Sequence, residues 1–264
     1  MTRFYFSDFI QGMINLLSEP SKMPCVGFNI PALKYCPAAR ISLKEEPEDS
    51  ICNECYARKG FYLFKNVAKA LQDRVDFVLK SLREDNGDKF VEEISRQIEK
   101  KYFDKNGNKK ELKNIDTSLF RGHDSGDLFS PKYIKAWKRV CEKFPAIRFW
   151  FPTREWFRES QLDALKDLAS LDNVCLKPSA LKMNEPAPIV DGMDAGTAVY
   201  TTIEQAERDG HFVCPATRHE KEMGKEAWKA LPEDERKSLI TCKGNRCKLC
   251  FIKGCKKGIA YIAH

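Results

Sequence analysis

Nowhere does this sequence run through the roughly 20 uninterrupted apolar residues that a membrane-spanning helix needs, so no membrane partner is expected. A secretory leader is not expected either. Residues 4–17 are apolar enough to suggest one, but Asp8, Gln11 and Asn15 interrupt the stretch and no small-residue cleavage site follows. A buried or docking helix fits it better. Internal repeats and low-complexity linkers are absent too. Without an export signal the chain is expected in the cytoplasm, a reducing compartment where disulfides rarely persist.

In that setting eleven cysteines in 264 residues need another explanation. Cys141 and Cys175 stand alone among apolar residues, as small core hydrophobes do. The remainder bunch near the two ends, a distribution that metal sites produce. The length allows one large domain or a core with an appendage. The cysteines suggest an α/β core over residues 1–210 that carries the first group. A cysteine-rich segment, residues 211–264, would pack on it.

Between the cysteine groups the pattern is one of strands and helices. Residues 24–55 are rich in proline and cysteine and read as a loop around a site. Residues 61–83 read as a long amphipathic helix, with Phe64, Val67, Ala68, Leu71, Val75, Val78, Leu79 and Leu82 at helical spacing. A second helix carries Phe90, Val91, Ile94 and Ile98 beyond the Asn86-Gly87 break. Asp104 to Asn108 reads as a simple turn, since its glycine is misplaced for a calcium loop. Strands are then expected at 115–120, 147–152, 174–177, 187–190 and 197–200, with helices at 131–144 and 160–171. Strand–helix alternation with short connections argues for an α/β fold: a partial (β/α) barrel or an open parallel sheet with helices outside.

Three constellations carry chemistry. In the first, Cys36-Pro37 precedes Cys52-x-x-Cys55; the close pair converges two sulfurs and Cys36 adds a third. Three thiolates on a [4Fe–4S] cluster leave one iron open to a substrate or cofactor, whereas Cys25 as a fourth ligand would close the site. In the second, Cys214-Pro215, Cys242, Cys247 and Cys250 supply four ligands for a closed site, with Cys255 in reserve. Zinc is the alternative metal at either group. The third is the loop His123-Asp124-Ser125-Gly126-Asp127, between an expected strand and helix, where parallel sheets bind ligands. His123, Asp124 and Asp127 are the candidate catalytic residues; Ser125, Gly126, Arg154 and Lys177, at successive strand ends, are candidates for cofactor binding. The plainer alternative is that Asp127 or Ser130 caps the following helix.

The net charge is +7, and residues 241–264 hold Lys243, Arg246, Lys248, Lys253, Lys256 and Lys257 with no acidic residue. Such a run suits nucleic acid and equally suits an anionic cluster that needs cations nearby.

Taken in order, Cys36-Pro37, Cys52-x-x-Cys55-Tyr56-Ala57, the His123 to Asp127 loop, Thr153-Arg154, Cys214-Pro215 and Cys247-x-x-Cys250-Phe251 resemble the bacteriophage gene product 88 family, over residues 25–264. That resemblance implies a phage origin, hence the host cell cytoplasm, and brings no established reaction. The layout also resembles radical S-adenosylmethionine enzymes: a three-cysteine site before a partial barrel, then a glycine–acid loop after an early strand. By that resemblance Gly126 and Asp127 would meet the methionyl amino group of S-adenosylmethionine, and the C-terminal cysteines would be an auxiliary cluster. The usual Cys-x3-Cys-x2-Cys spacing of those enzymes is widened here, with fifteen residues between Cys36 and Cys52. The expectation is a redox or radical enzyme with two [4Fe–4S] clusters, a small-molecule or nucleotide substrate and a reductant protein. The alternative is a metal-stapled protein that binds nucleic acid through its basic C-terminal segment.

Overall fold

A computed structural model of the chain describes residues 14–20 and 22–263. Four short strands, β1 (Val26–Phe28), β2 (Leu119–Gly122), β3 (Arg148–Thr153) and β4 (Val174–Pro178), form one parallel sheet in that order. A second parallel sheet has the order β5-β7-β6, from β5 (Thr197–Tyr200), β6 (Phe212–Val213) and β7 (Ile259–Ile262). A single parallel bridge between Ser179 and Thr197 joins the edge of one sheet to the edge of the other. The fold is therefore mixed α/β with parallel sheets. Because β7 lies between β5 and β6, the segment after residue 210 shares a sheet with residues before it.

Parallel strands are buried on both faces, and side chains alternate between them. On one face Val26, Phe28, Phe120, Phe149, Phe151, Val174 and Leu176 meet α2 (Lys65–Glu84), α3 (Asp88–Tyr102), α4 (Pro131–Lys143) and α5 (Glu159–Ala169). Trp137 of α4 is fully buried at the centre of that core. Its ring lies 5.2 to 5.8 Å from those of Phe28, Phe90, Phe120 and Phe151. On the opposite face Leu119, Trp150 and Cys175 meet Cys25, Cys214, Cys250 and Phe251, so the C-terminal segment takes the place of a helix layer.

Several expected elements differ. The 24–55 segment is not all loop: it holds β1 and α1 (Pro37–Glu45), where Pro37 occupies the first helical turn, a position that needs no N–H. The strand expected at 115–120 begins at Leu119, because the Asp116 carboxylate accepts from the Ser118 N–H and hydroxyl and makes a turn. Residues 187–190 form no strand; Pro186 and Pro188 there cannot donate to a ladder. The long helix starts only at Lys65, after 3-10 turns at Tyr56–Arg58 and Gly60–Leu63, and Phe64 and Ala68 are exposed rather than buried. The helix expected over 4–17 falls mostly outside the described residues, and 14–17 are irregular. Helices at 88–102, 131–143 and 159–169, the Asp104 turn and the strands at 148–153 and 174–178 agree with expectation.

Replacing Trp137 by alanine empties the middle of the aromatic core, and such truncations cost about 3–5 kcal/mol. The expected outcome is a loss of that size in urea unfolding, with the thiol-bearing face unchanged in its reactivity.

Candidate functional site

The first cysteine group is assembled by the loop after β2 and the turn after β3. The Asp127 carboxylate accepts from the Thr153 hydroxyl at 2.6 Å, the Arg154 N–H at 2.9 Å and the Leu128 N–H at 2.7 Å. Its own N–H donates to the Tyr35 carbonyl at 3.1 Å, next to Cys36. Glu155 accepts from the Ala38 N–H at 2.9 Å and pairs with Arg158 at 2.6 Å, so the helix that starts after Cys36 is tied to the same turn. Burial and the charge of Asp127 push the Glu155 carboxyl up to about 7. Burial likewise raises Asp127.

Arg154 is the cation of this group. Burial opposes its charge, but Cys52, Asp127, Cys55 and Cys36 around it more than offset that and hold the guanidinium above its ordinary value. Its Nε is buried without a hydrogen-bond partner among the described residues. Burial raises the thiols of Cys36 and Cys55; Cys36 also feels the charge of Cys55, and Cys55 that of Cys52. Cys36, Cys52 and Cys55 thus all lie within electrostatic reach of Arg154.

The rest of the polar loop divides. Asp124 faces the cysteine side: its carboxylate pairs with Arg121 at 2.7 Å and accepts from the Tyr62 hydroxyl, while Tyr56, the residue after Cys55, donates to its carbonyl at 2.5 Å. His123 does not face that way. With φ at +63° it turns into the aromatic core between Phe28, Tyr133 and Trp137, and burial pushes its imidazole down to about 3. Ser125 donates to the Ile30 carbonyl at 2.9 Å. Gly126, at φ +80°, presses so close to Ile30 that a Cβ would lie 2.2 Å from its Cγ1. Ser125, Gly126 and Asp127 therefore hold the loop in place. Ser130, not Asp127, caps α4, its hydroxyl accepting from the Tyr133 N–H.

The second group lies on the other face of the β1–β4 sheet. Cys214, Cys242, Cys247 and Cys250 are within electrostatic reach of one another. Burial pushes both Cys214 and Cys242 up to about 12. Cys25 joins this group rather than the first, beside Cys242 and Arg121. The Cys255 thiol reaches the Lys257 carbonyl at 3.6 Å. Lys177 belongs here as well. It is fully buried, donates to the Ala195 carbonyl at 3.3 Å, and lies near Cys250 and Cys175, with no ion pair among the described residues. Among the described residues, no three His, Cys, Asp or Glu side chains are arranged to hold a metal ion, so the expected ligand sets stand as grouped thiols only.

Tyr62 was not singled out from sequence, and Arg121, Tyr56 and Tyr261 were given no role there. Arg121 lies over the Trp150 ring at 4.7 Å, and Tyr56, Tyr261 and Cys25 are all near it, so it stands between the two groups. The Tyr261 hydroxyl lies 3.4 Å from the Cys250 sulfur. Strand alternation puts Arg121 opposite Phe120 and signals which face it takes; nothing local signals Tyr62. Three of the C-terminal cations are occupied in docking their segment to the core. Lys248 pairs with Asp116 at 2.5 Å, Lys253 donates to the Val174 carbonyl at 3.2 Å, and Lys243 donates to Asn114.

The sequence model of the family "Gene product 88" matches residues 10–253. The chain belongs to the Gene product 88 family. It is 32% identical to the Gene 88 protein of Mycobacterium phage D29 over 133 residues, half of this chain and 49% of the relative. It is 42% identical to the Gene 88 protein of Mycobacterium phage L5 over 62 residues, 24% of each. The chain thus aligns with about half or less of the length of these curated relatives. No solved structure matches it. Among the described residues no helix is long and apolar enough to cross a membrane.

At pH 8 a thiol titrating near 12 holds roughly a thousandth of the thiolate of one titrating near 9. In metal-free protein, Cys214 and Cys242 should react with iodoacetamide at least about a hundredfold more slowly than in the urea-unfolded chain. Their rates should rise steeply between about pH 8 and pH 10, as burial-raised thiols require. Peptide mass spectrometry of alkylated protein measures both.

Proposed function

We propose that this family member is an iron–sulfur protein with two [4Fe–4S] sites and that it carries out redox or radical chemistry at one of them. Cys36, Cys52 and Cys55 would hold a cluster with one open iron. Cys214, Cys242, Cys247 and Cys250 would hold a closed one, with Cys25 beside it. The observation that carries this reading is the charge around the thiols. Arg154 is half-buried, with its Nε fully so, against three cysteines and the Asp127 carboxylate, and Lys177 is fully buried near Cys250 without an ion pair among the described residues. A buried cation short of opposite charge beside it is destabilising. Protonated thiols supply no counter-charge; cluster-bound thiolates do. A cubane also spreads its protein ligands over separate irons and accepts a wider grouping than the ~4 Å between sulfurs on one tetrahedral zinc.

When bound, a cluster with an open iron supplies one-electron reduction at a coordinated substrate. The chain's own residues do the remainder. Arg154 balances the thiolate charge, while Asp127 and Glu155 fix the turn and the helix that bring Cys36 beside it. Asp124, Tyr56, Tyr62 and Arg121 are the polar groups left to orient a small molecule or nucleotide, because Asp127, Ser125 and Gly126 are committed to the loop. S-adenosylmethionine at the open iron is the form of this reading that the radical-enzyme layout suggests, with a reductant protein as electron source.

Protein purified without oxygen is expected to be brown, to absorb near ~400 nm and to contain about eight irons per chain. Arg154→Met should keep the second cluster only, leaving about four irons. Colourless protein that carries zinc, or full iron content in Arg154→Met, would overturn the reading. Addition of S-adenosylmethionine to reduced protein should change the EPR signal of the native chain and leave that of Arg154→Met unmoved.

A further inference from the structure

Beside the first cysteine group the chain exposes an apolar surface of which only the Tyr56 hydroxyl is bonded to the rest of the fold. The 3-10 turns at Tyr56–Arg58 and Gly60–Leu63 lead into α2 and present Tyr56, Phe61, Leu63 and Phe64, which are 55%, 64%, 67% and 59% exposed. The apolar stripe of α2 is buried from Leu71 onward, through Val75, Val78 and Leu82, but its first turns are solvent-facing. The surface is therefore the unburied end of a stripe whose other end holds the core. Large apolar side chains clustered in water mark a binding surface more often than an accident of packing.

Two further observations indicate what binds. The rings are not stacked on one another. Phe61 and Phe64 meet at 65°, Phe61 and Tyr62 at 80°, and Tyr56 and Tyr62 at 55°, so no pair is stacked face to face, and Phe61 and Phe64 stay more than half exposed. Cations also alternate with them: residues 56–69 contain Arg58, Lys59, Lys65 and Lys69 and no acidic residue. Lys59 and Lys69 are paired with Glu54 and Asp73. Arg58 and Lys65 form no ion pair among the described residues, nor does Lys34, which reaches α2 at Gln72. Exposed aromatic rings interleaved with unpaired cations are what a single-stranded nucleic acid requires, bases stacking on the rings and phosphates meeting the cations.

We infer that this surface binds single-stranded nucleic acid. A duplex, whose bases are already stacked, would gain only the charge contacts. The inference stands on this surface alone and is independent of what the cysteines hold. It also places the contact away from the basic C-terminal segment, half of whose cations are tied to the core.

The test is fluorescence anisotropy of the full chain with a labelled oligothymidylate of about 15 nucleotides, with the same-length duplex as comparison. Expected is saturable binding of the single strand, weakened by salt and at least tenfold tighter than the duplex. Phe61→Ala/Phe64→Ala should weaken it by about 10- to 100-fold. Because both side chains are more than half exposed, thermal unfolding and iron content should not change. A Lys256→Glu/Lys257→Glu chain should bind like the native one. Four results overturn the inference: no saturable binding, equal affinity for duplex, native affinity in the double phenylalanine variant, or loss of binding only in the C-terminal variant. Sedimentation showing a dimer that the phenylalanine changes dissociate would assign the surface to a second copy and overturn it also.

Discussion

The carboxylate of Asp127 is the interaction on which the first site depends. It closes the turn after β3 through the Thr153 hydroxyl and the Arg154 N–H, and it holds its own loop through Leu128. Through its backbone it also anchors Tyr35, the residue before Cys36. A buried carboxylate is costly unless its oxygens are satisfied, and here three donors satisfy them. The consequence is positional. The backbone of Arg154 is held beside the thiols by the same hydrogen bond that satisfies Asp127. Glu155, one residue on, uses the same turn to hold the start of α1.

Charge then links the two cysteine groups. Arg121 has Asp124 and Tyr56 on one side and Cys25, Cys242 and Tyr261 on the other. Lined up with Trp150 and Cys175 across the sheet, it occupies the face that the C-terminal segment covers. A change in charge at the second group is therefore felt by Arg121, which reaches the first group through Tyr56, the neighbour of Cys55. Buried groups are screened little by solvent, so this coupling does not need direct contact between the thiols.

Much of this was legible in the sequence, and the failures have physical causes. The helices whose apolar stripe is fully buried were legible, such as the one bearing Trp137. A three-residue strand like Val26–Phe28 carries too little alternation to stand out from a proline-rich segment. In the loop, Asp124 and Asp127 look alike as residues; what separates them is that the turn after β3 lies against only one. His123 lies beyond any reading by alternation, since a positive φ reverses the side on which its ring emerges. Lys177 was placed with the polar loop because it ends a strand. Its parity with Cys175, two residues earlier, already assigns it to the second group's face, but which face that group would cover depends on strand register, and register between distant strands is not local information.

The two groups also differ in what the fold loses without them. A parallel sheet has to be covered on both faces. Helices α2 to α5 cover one; on the other, Leu119, Trp150 and Cys175 are covered by Cys25, Cys214, Cys250 and Phe251. The second cysteine group is thus part of a packing layer that contains little regular structure of its own, with Leu249–Phe251 as a single 3-10 turn inside it. A segment built from short turns holds such a position poorly by backbone hydrogen bonding alone, and cross-linking its thiols through a common centre would compensate for that. The first group covers no sheet face. It sits at the strand ends, where the turns after β2 and β3 are already fixed by Asp127 and Glu155, so stapling there would add little to the fold. By this argument a centre of the proposed kind would stabilise the fold at the second group and add little to it at the first.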